Sequence, residues 1–139
     1  MHQVFVYGTL KENFPNYNIN KGKRLIGDYL TKGRYPLLIV GQRFTPWLML
    51  DEGNGHHIRG QVFTVSDATL ADMDMLESVT HLDGYSRIEM TVISEQSGEE
   101  LLVFAYGKPL QQLQGVVIQS TLDGEYTVEH SLRYISPNL

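Results

Sequence analysis

The sequence predicts an α+β domain in which a small barrel-like sheet is flanked by one main helix. The apolar runs are short, rich in Val, Ile, Tyr and Phe, and bounded by Gly, Pro, Asn or Asp, as is typical of strands. One segment has strong helical periodicity instead. The chain has 139 residues, which is the size of one ordinary domain, so we expect residues 1–139 to form a single domain.

Four short apolar segments give the clearest strand predictions. They are Val4–Tyr7, Gly60–Val65, Arg87–Ser94 and Leu101–Tyr106. A polar, glycine-containing stretch separates the last two, which predicts a hairpin. A further strand pair is predicted around Arg24–Leu30 and Tyr35–Val40, and a short strand at Trp47–Leu50.

The predicted helix covers residues 68–78. Either Ser66 or Asp67 is suited to cap its N-terminus by accepting a main-chain hydrogen bond. A second segment, Gln111–Leu122, is amphipathic, but its run of Val, Val and Ile leaves helix and strand both open. The last residues, Ser136–Leu139, are expected to fray.

The charge balance argues against nucleic acid and membrane partners. The chain has 11 Lys and Arg against 16 Asp and Glu, a formal net charge of −5, and its densest basic cluster is Lys21, Lys23 and Arg24. No apolar run approaches the roughly eighteen residues that span a bilayer, and the N-terminus lacks the basic start of a signal peptide. The absence of cysteine excludes disulfides and thiolate metal sites. We therefore expect a soluble, cytoplasmic protein.

The first predicted strand runs directly into Gly8, Thr9 and Leu10. A strand that stops at glycine leaves consecutive main-chain N–H groups free to converge on an anion, because glycine permits the turn and a close approach. An ordinary strand end without a ligand is the alternative. The glycine spacing of a phosphate-binding loop is missing.

Glu77 lies at the C-terminal end of the predicted helix. It shares a helical face with Leu70 and Met73, so its carboxyl is expected to point toward the sheet. The helix dipole and partial burial would both raise its pKa toward values useful for a base. Asp72 and Asp74 lie on other faces and are predicted to be solvated. The alternative is that Glu77 is a surface acid on the helix edge.

Other catalytic groups are weaker candidates. A thiol nucleophile is impossible and no serine elbow is present, while the neighbouring His56 and His57 would point to opposite faces of an extended segment. Several aromatic residues occur at strand ends, where barrels place ligand contacts, or alternatively close the core. These residues are Tyr7, Tyr35, Trp47, Tyr85 and Tyr106.

Several of these segments, in this order, resemble the gamma-glutamylcyclotransferase-like family. The segments are Phe5–Lys11, Tyr35–Leu37, Gly60–Phe63, Met75–Ser78, Tyr85–Arg87 and Val103–Tyr106. Within this region, Tyr35–Gly41 followed by Pro46–Leu48 is most similar to the gamma-glutamylamine cyclotransferase branch. The segment from Leu110 onward carries no usable resemblance.

The resemblance implies a small mixed β-barrel with flanking helices, no metal and no cofactor. It implies an enzyme that releases 5-oxoproline and a free amine from a gamma-glutamylamine, with Glu77 as the general base and acid. The substrate loop would be Tyr7, Gly8, Thr9 and Leu10. We further expect the side chains of Tyr85 and Tyr106 to contact the substrate.

Two alternatives remain open in the sequence. The alternatives to a gamma-glutamylamine cyclotransferase are a catalytically silent module that binds a small carboxylate, and a biosynthetic cyclotransferase that removes a gamma-glutamyl protecting group. Some relatives replace the glutamate, so the presence of Glu77 favours an enzyme. The segment between Glu77 and Tyr85 is slightly longer than in the amine branch, which leaves the amine released open. The oligomeric state is open as well.

Overall fold

The structure is a computed structural model that describes residues 1–136. The strands are β1 (His2–Val6), β2 (Lys23–Arg24), β3 (Tyr29–Thr31), β4 (Leu37–Val40), β5 (Thr45–Leu48), β6 (Arg59–Val65), β7 (Ser86–Ser94), β8 (Glu100–Gly107) and β9 (Ile118–Leu122). The helices are α1 (Asp67–Leu76) and α2 (Val128–Ser131), with 3₁₀ turns at Tyr17–Ile19 and Leu110–Leu113. Except for Ser136, the predicted frayed tail lies outside the described residues.

Within residues 1–136, five strands close into a mixed barrel in the order β1-β8-β7-β3-β6. The barrel closes because β6 pairs again with β1, in an antiparallel register that runs from His2 opposite Val65 to Val6 opposite Gln61. The other edge of β1 pairs in parallel with β8, which makes the barrel mixed. The short β2 extends the sheet beyond β6. The predicted small mixed β-barrel is confirmed.

A second sheet, in the order β5-β4-β9, packs beside the barrel. Its strands are all antiparallel neighbours. The Tyr7 hydroxyl joins the two sheets, since it donates to the Tyr106 carbonyl at 2.8 Å and accepts from the Leu48 N–H at 3.3 Å. One phenol therefore fixes the end of β1 against β8 and against β5.

The predicted hairpin is confirmed, because β7 and β8 pair from Ser86 opposite Gly107 to Ile93 opposite Glu100. The predicted pairing of Arg24–Leu30 with Tyr35–Val40 is wrong. The first segment forms two short strands, β2 and β3, which both pair with β6. A turn at Gly27, with φ of +84°, separates them. The second segment contains β4, which pairs with β5 and β9 in the other sheet.

The later segments also differ from the prediction in detail. The short strand predicted at Trp47–Leu50 starts earlier, as β5. The ambiguous Gln111–Leu122 segment divides into a 3₁₀ turn and β9, because Gly115, with φ of +77°, interrupts it. The short helix α2 was not predicted; the Thr127 side chain caps it by accepting from the His130 N–H.

The main helix, α1, packs on the outer face of the barrel. Ser66 caps it by accepting from the Thr69 N–H at 3.1 Å. Leu70 and Met73 are buried against side chains of β1, β6 and β8. The helix ends at Leu76, two residues before the predicted end, so Glu77 is its C-terminal cap residue.

We predict that Met73→Ala destabilises the protein by about 2–5 kcal/mol, because Met73 is fully buried between α1 and the barrel. The matched control is Met75→Ala on the same helix, whose side chain is 78% exposed; it should change stability by less than about 0.5 kcal/mol. Urea unfolding of both variants measures the difference. Equal effects would show that α1 is not anchored through Met73.

Candidate active site

A cavity of about 250 Å³ lies where the ends of β1 and β8 meet β5 and the end of α1. All the residues that the sequence analysis assigned to catalysis or substrate binding line it: Tyr7, Gly8, Thr9, Leu10, Glu77, Tyr85 and Tyr106. They come from four separate regions of the chain, so the barrel closure is what brings them together.

The loop after β1 presents unpaired main-chain donors. Its carbonyl groups are all engaged: that of Gly8 accepts from the Lys11 N–H, that of Thr9 from the Asn16 N–H, and that of Leu10 from the side chain of Asn20. The N–H groups of Gly8, Thr9 and Leu10 have no acceptor within residues 1–136. Consecutive buried N–H groups without an acceptor are suited to bind an anion or a developing oxyanion.

Gly8 is required by the packing of this loop on the second sheet. A Cβ atom at Gly8 would lie 2.9 Å from Cγ of Pro46 in β5. A larger residue would push the loop away from β5 and move the N–H groups with it.

Glu77 enters the cavity from the end of α1. Its N–H donates to the Met73 carbonyl at 3.0 Å, and its carbonyl accepts from the Tyr85 N–H at 3.0 Å, so its backbone is fixed on both sides. Its carboxyl accepts no hydrogen bond from the part of the chain that the structure describes. Burial raises the pKa of Glu77 to about 8, and the charge of Lys108 opposes that shift only in part.

The segment between Glu77 and Tyr85 folds into a tight turn against α1. Ser78 has φ of +54°, and the Gly84 N–H donates to the His81 carbonyl at 3.1 Å. A Cβ atom at Gly84 would lie 1.8 Å from the Ser78 carbonyl oxygen, so only glycine allows this approach. The turn therefore fixes the backbone next to the Glu77 carboxyl.

Three of the tyrosines that line the cavity use their hydroxyl groups to donate hydrogen bonds to other groups of the protein. Tyr7 donates to the Tyr106 carbonyl, Tyr85 to the Pro46 carbonyl at 2.8 Å, and Tyr106 to the Asp74 carboxylate at 2.6 Å. The rings supply the walls, and these hydroxyl protons are not available to a ligand. The fourth predicted strand-end tyrosine, Tyr35, lies in the main core instead.

The prediction that Asp74 is solvated is wrong. It is partly buried and forms an ion pair with Arg87 at 2.6 Å, in addition to its bond from Tyr106. The start of β7 covers this face of α1, and sequence spacing within the helix contains no signal of that packing. Asp72 is exposed, as predicted.

Sequence reasoning missed several residues of the cavity wall. They are Asn16, Arg43, Thr45, Pro46, Asp83, Lys108 and Tyr134. Lys108 is only 4% exposed; its Nζ donates to the Asp83 carbonyl at 2.6 Å and to Gln112 at 2.9 Å. It also lies 4.4 Å from the Trp47 ring centre and 4.6 Å from that of Tyr85. The sequence feature that could have identified Lys108 is its position directly after β8.

The remaining chemistry-bearing residues do not join this site. His56, His57 and His81 are exposed and do not line the cavity. Across residues 1–136, no three His, Asp or Glu side chains converge as metal ligands. No helix of the described chain is long and apolar enough to cross a membrane.

Fold and cavity together define a small barrel protein whose site combines a half-buried carboxyl of raised pKa with main-chain N–H groups that have no acceptor within residues 1–136. The family described as "Gamma-glutamyl cyclotransferase, AIG2-like" matches residues 4–127. The chain belongs to this family, which confirms the resemblance and carries it past Leu110.

Two mammalian gamma-glutamylaminecyclotransferases are among the similar proteins. The human protein is 36% identical over 97 residues, which cover 66% of this chain and 62% of the human one. The Bos taurus protein is 32% identical over 136 residues, covering 94% of this chain and 80% of the bovine one. The aligned part thus spans about three fifths of the human relative's length.

The fold agrees with that of a solved relative. The crystal structure of an AIG2-like protein from Mus musculus superposes with a TM-score of 0.73 at 28% identity, covering 97% of this chain and 95% of the mouse chain.

We predict that Glu77→Gln changes how stability depends on pH. A carboxyl whose pKa rises from 4.5 to about 8 on folding stabilises the fold fully below pH 4.5, and this contribution is lost as pH rises through about 8. Glutamine removes this loss, so the melting temperature of Glu77→Gln relative to the wild type should increase from pH 5 to pH 9.

The exposed acid Asp72 supplies the control. Asp72→Asn should leave the pH dependence of the melting temperature unchanged. A Glu77→Gln curve parallel to the wild type would contradict a raised carboxyl pKa at this position.

Proposed function

We propose that this protein is a gamma-glutamyl cyclotransferase that acts on a gamma-glutamylamine and releases 5-oxoproline and a free amine. One observation carries the proposal: the Glu77 carboxyl and the N–H groups of Gly8, Thr9 and Leu10 line the same cavity, and none of them has a hydrogen-bond partner in the described part of the chain. Membership of the family and the names of its mammalian relatives support it.

The reaction needs one base and one oxyanion site. Glu77 takes a proton from the α-ammonium of the substrate, and the freed amine attacks the γ-carbonyl carbon. A C–N bond forms and closes a five-membered ring, while the carbonyl oxygen becomes an oxyanion that the loop N–H groups stabilise. The ring nitrogen loses its second proton to solvent, the intermediate collapses, the original C–N bond breaks, and Glu77 returns its proton to the leaving nitrogen, so that 5-oxoproline and a free amine are released.

The environment of Glu77 suits this proton transfer. The α-ammonium group of the substrate is a much weaker acid than an ordinary carboxyl, and the raised pKa of about 8 for Glu77 reduces the difference between the two groups. The smaller difference in proton affinity favours transfer of the proton from the α-ammonium to Glu77. An ordinary solvated carboxylate would be a much weaker base.

The protein's remaining task is to fold the substrate. The nucleophile and the electrophile belong to one molecule, so a cavity that holds the chain bent supplies much of the rate enhancement through proximity. The rings of Tyr7, Tyr85 and Tyr106 form the cavity walls and are fixed by their own hydrogen bonds. We infer that these rings shape the cavity, whereas the loop N–H groups and Glu77 take part in the reaction.

The first test is turnover of a panel of gamma-glutamylamines and gamma-glutamyl amino acids, including gamma-glutamyl-ε-lysine and glutathione, with 5-oxoproline measured. Release from the amines supports the proposal and identifies the amine. Calorimetric binding without product would instead support a silent carboxylate-binding module. Release only from a biosynthetic gamma-glutamyl intermediate would support the other alternative, a cyclotransferase that removes a gamma-glutamyl protecting group.

We predict that Glu77→Gln lowers kcat/KM about 10²–10⁴-fold, the usual contribution of a positioned general base. In the wild type, kcat/KM should rise as pH increases through about 8, because the carboxylate form of Glu77 is the active one. The control Asp72→Asn removes an acid from the same helix and should retain full activity. Retained turnover in Glu77→Gln would overturn the assignment of the base.

A further inference from the structure

The proposed reaction leaves one charged group of the substrate without a partner. The loop N–H groups bind the γ-carbonyl oxygen and Glu77 accepts a proton from the α-ammonium. The γ-glutamyl moiety also carries an α-carboxylate. That anion enters a cavity that already contains the Glu77 carboxyl. A second negative charge there requires a cation and a hydrogen-bond donor on the wall.

Tyr134 provides a donor that the other cavity tyrosines lack. Its hydroxyl oxygen accepts from Nδ2 of Asn16 at 3.1 Å, and its own proton goes to no acceptor within the described chain. Burial raises the pKa of Tyr134, so the proton is present at neutral pH. The hydroxyl protons of Tyr7, Tyr85 and Tyr106 are, by contrast, given to protein oxygens.

Asn16 connects this donor to the substrate loop. The same Nδ2 atom donates to Oγ1 of Thr9 at 2.8 Å and to the Tyr134 hydroxyl. The phenol is thereby held beside the loop that carries the unpaired N–H groups. A group bound to Tyr134 would therefore lie next to one bound by the loop.

Arg43 provides the cation. It lines the cavity, and its guanidinium has no hydrogen bond or ion pair with any of residues 1–136. The Ile135 N–H donates to the Arg43 carbonyl at 2.9 Å, which places the Arg43 backbone beside the segment that carries Tyr134. Lys108, the other cation on this wall, already donates to Asp83 and Gln112.

We propose that Arg43 and Tyr134 form the subsite for the α-carboxylate of the γ-glutamyl group. This inference rests on the proposed function, because it takes the γ-glutamyl group as the ligand. It assigns a binding role to the C-terminal segment, and it makes both residues determinants of specificity for substrates that carry this carboxylate.

The test compares two ligands that differ only by the carboxylate, 5-oxoproline and pyrrolidin-2-one. In the wild type, calorimetry should show clearly tighter binding of 5-oxoproline. Arg43→Gln and Tyr134→Phe should each weaken 5-oxoproline binding about tenfold, the usual loss for one hydrogen bond to a charged group, and should leave pyrrolidin-2-one binding unchanged. Matched controls are Arg34→Gln, an exposed arginine outside the cavity, and Tyr17→Phe.

Turnover separates this inference from the proposed function. Both variants should raise KM for a γ-glutamylamine about tenfold, with less effect on kcat, and should retain the wild-type melting temperature. Cyclisation of a 4-aminobutanoyl amide, which lacks the α-carboxylate, should be insensitive to both substitutions. Equal losses on both substrates would mean that Arg43 serves the leaving amine, which overturns the inference.

The remaining outcomes are also decisive. If the wild type turns over γ-glutamylamines while both variants bind 5-oxoproline normally, the subsite is wrong and the proposed function stands. If the wild type neither turns over any panel member nor binds 5-oxoproline, the proposed function fails and the subsite fails with it.

Discussion

The structure depends on the double pairing of β1. This strand is held on one edge by antiparallel β6 and on the other by parallel β8, and without both pairings the sheet would remain open. Closure fixes the point at which β1 ends, because its register with β6 is set from His2 to Val6. The loop that follows therefore emerges at a defined place, opposite the end of the helix that carries Glu77.

Tyrosine hydroxyl groups extend this constraint from the barrel to the cavity. Tyr7 joins β1 to β8 and β5, Tyr85 reaches β5 through the Pro46 carbonyl, and Tyr106 reaches α1 through Asp74. Each of these bonds links elements that are far apart in sequence. These bonds keep the walls of the cavity fixed, whereas the Glu77 carboxyl accepts no hydrogen bond from residues 1–136 and stays available to a ligand.

Local signals in the sequence were sufficient for much of the fold. The β7–β8 hairpin follows from its polar turn, and α1 from its cap at Ser66 and its apolar spacing. The segment around Gly27 was misread because a positive φ divides it into two strands, and the pairing partner of β4 lies in a different sheet. Register between distant strands is decided by tertiary packing, which has no local signature.

The same distinction applies to the site. The loop after β1 and Glu77 could be selected because each has a local reason to expose reactive groups: a strand that ends at glycine, and an acid on a packed helical face. Asp74, Lys108 and Tyr134 gain their significance only from residues brought close by folding. A tyrosine near the C-terminus has no sequence feature that connects it to Asn16.

The cavity lies between two sheets that share one core, in which Phe5 and Val62 of the barrel pack with Leu37 and Leu48 of the second sheet. The barrel and its helix supply the acid and the N–H groups, whereas β5, the turn before it and the C-terminal segment supply the opposite wall. Reactivity and molecular recognition are thus encoded in different parts of the chain. Substitutions at wall positions that do not support the loop after β1, such as Arg43, can change the space offered to a ligand while the reacting groups keep their positions, so the selectivity of the site can change without a change in its chemistry.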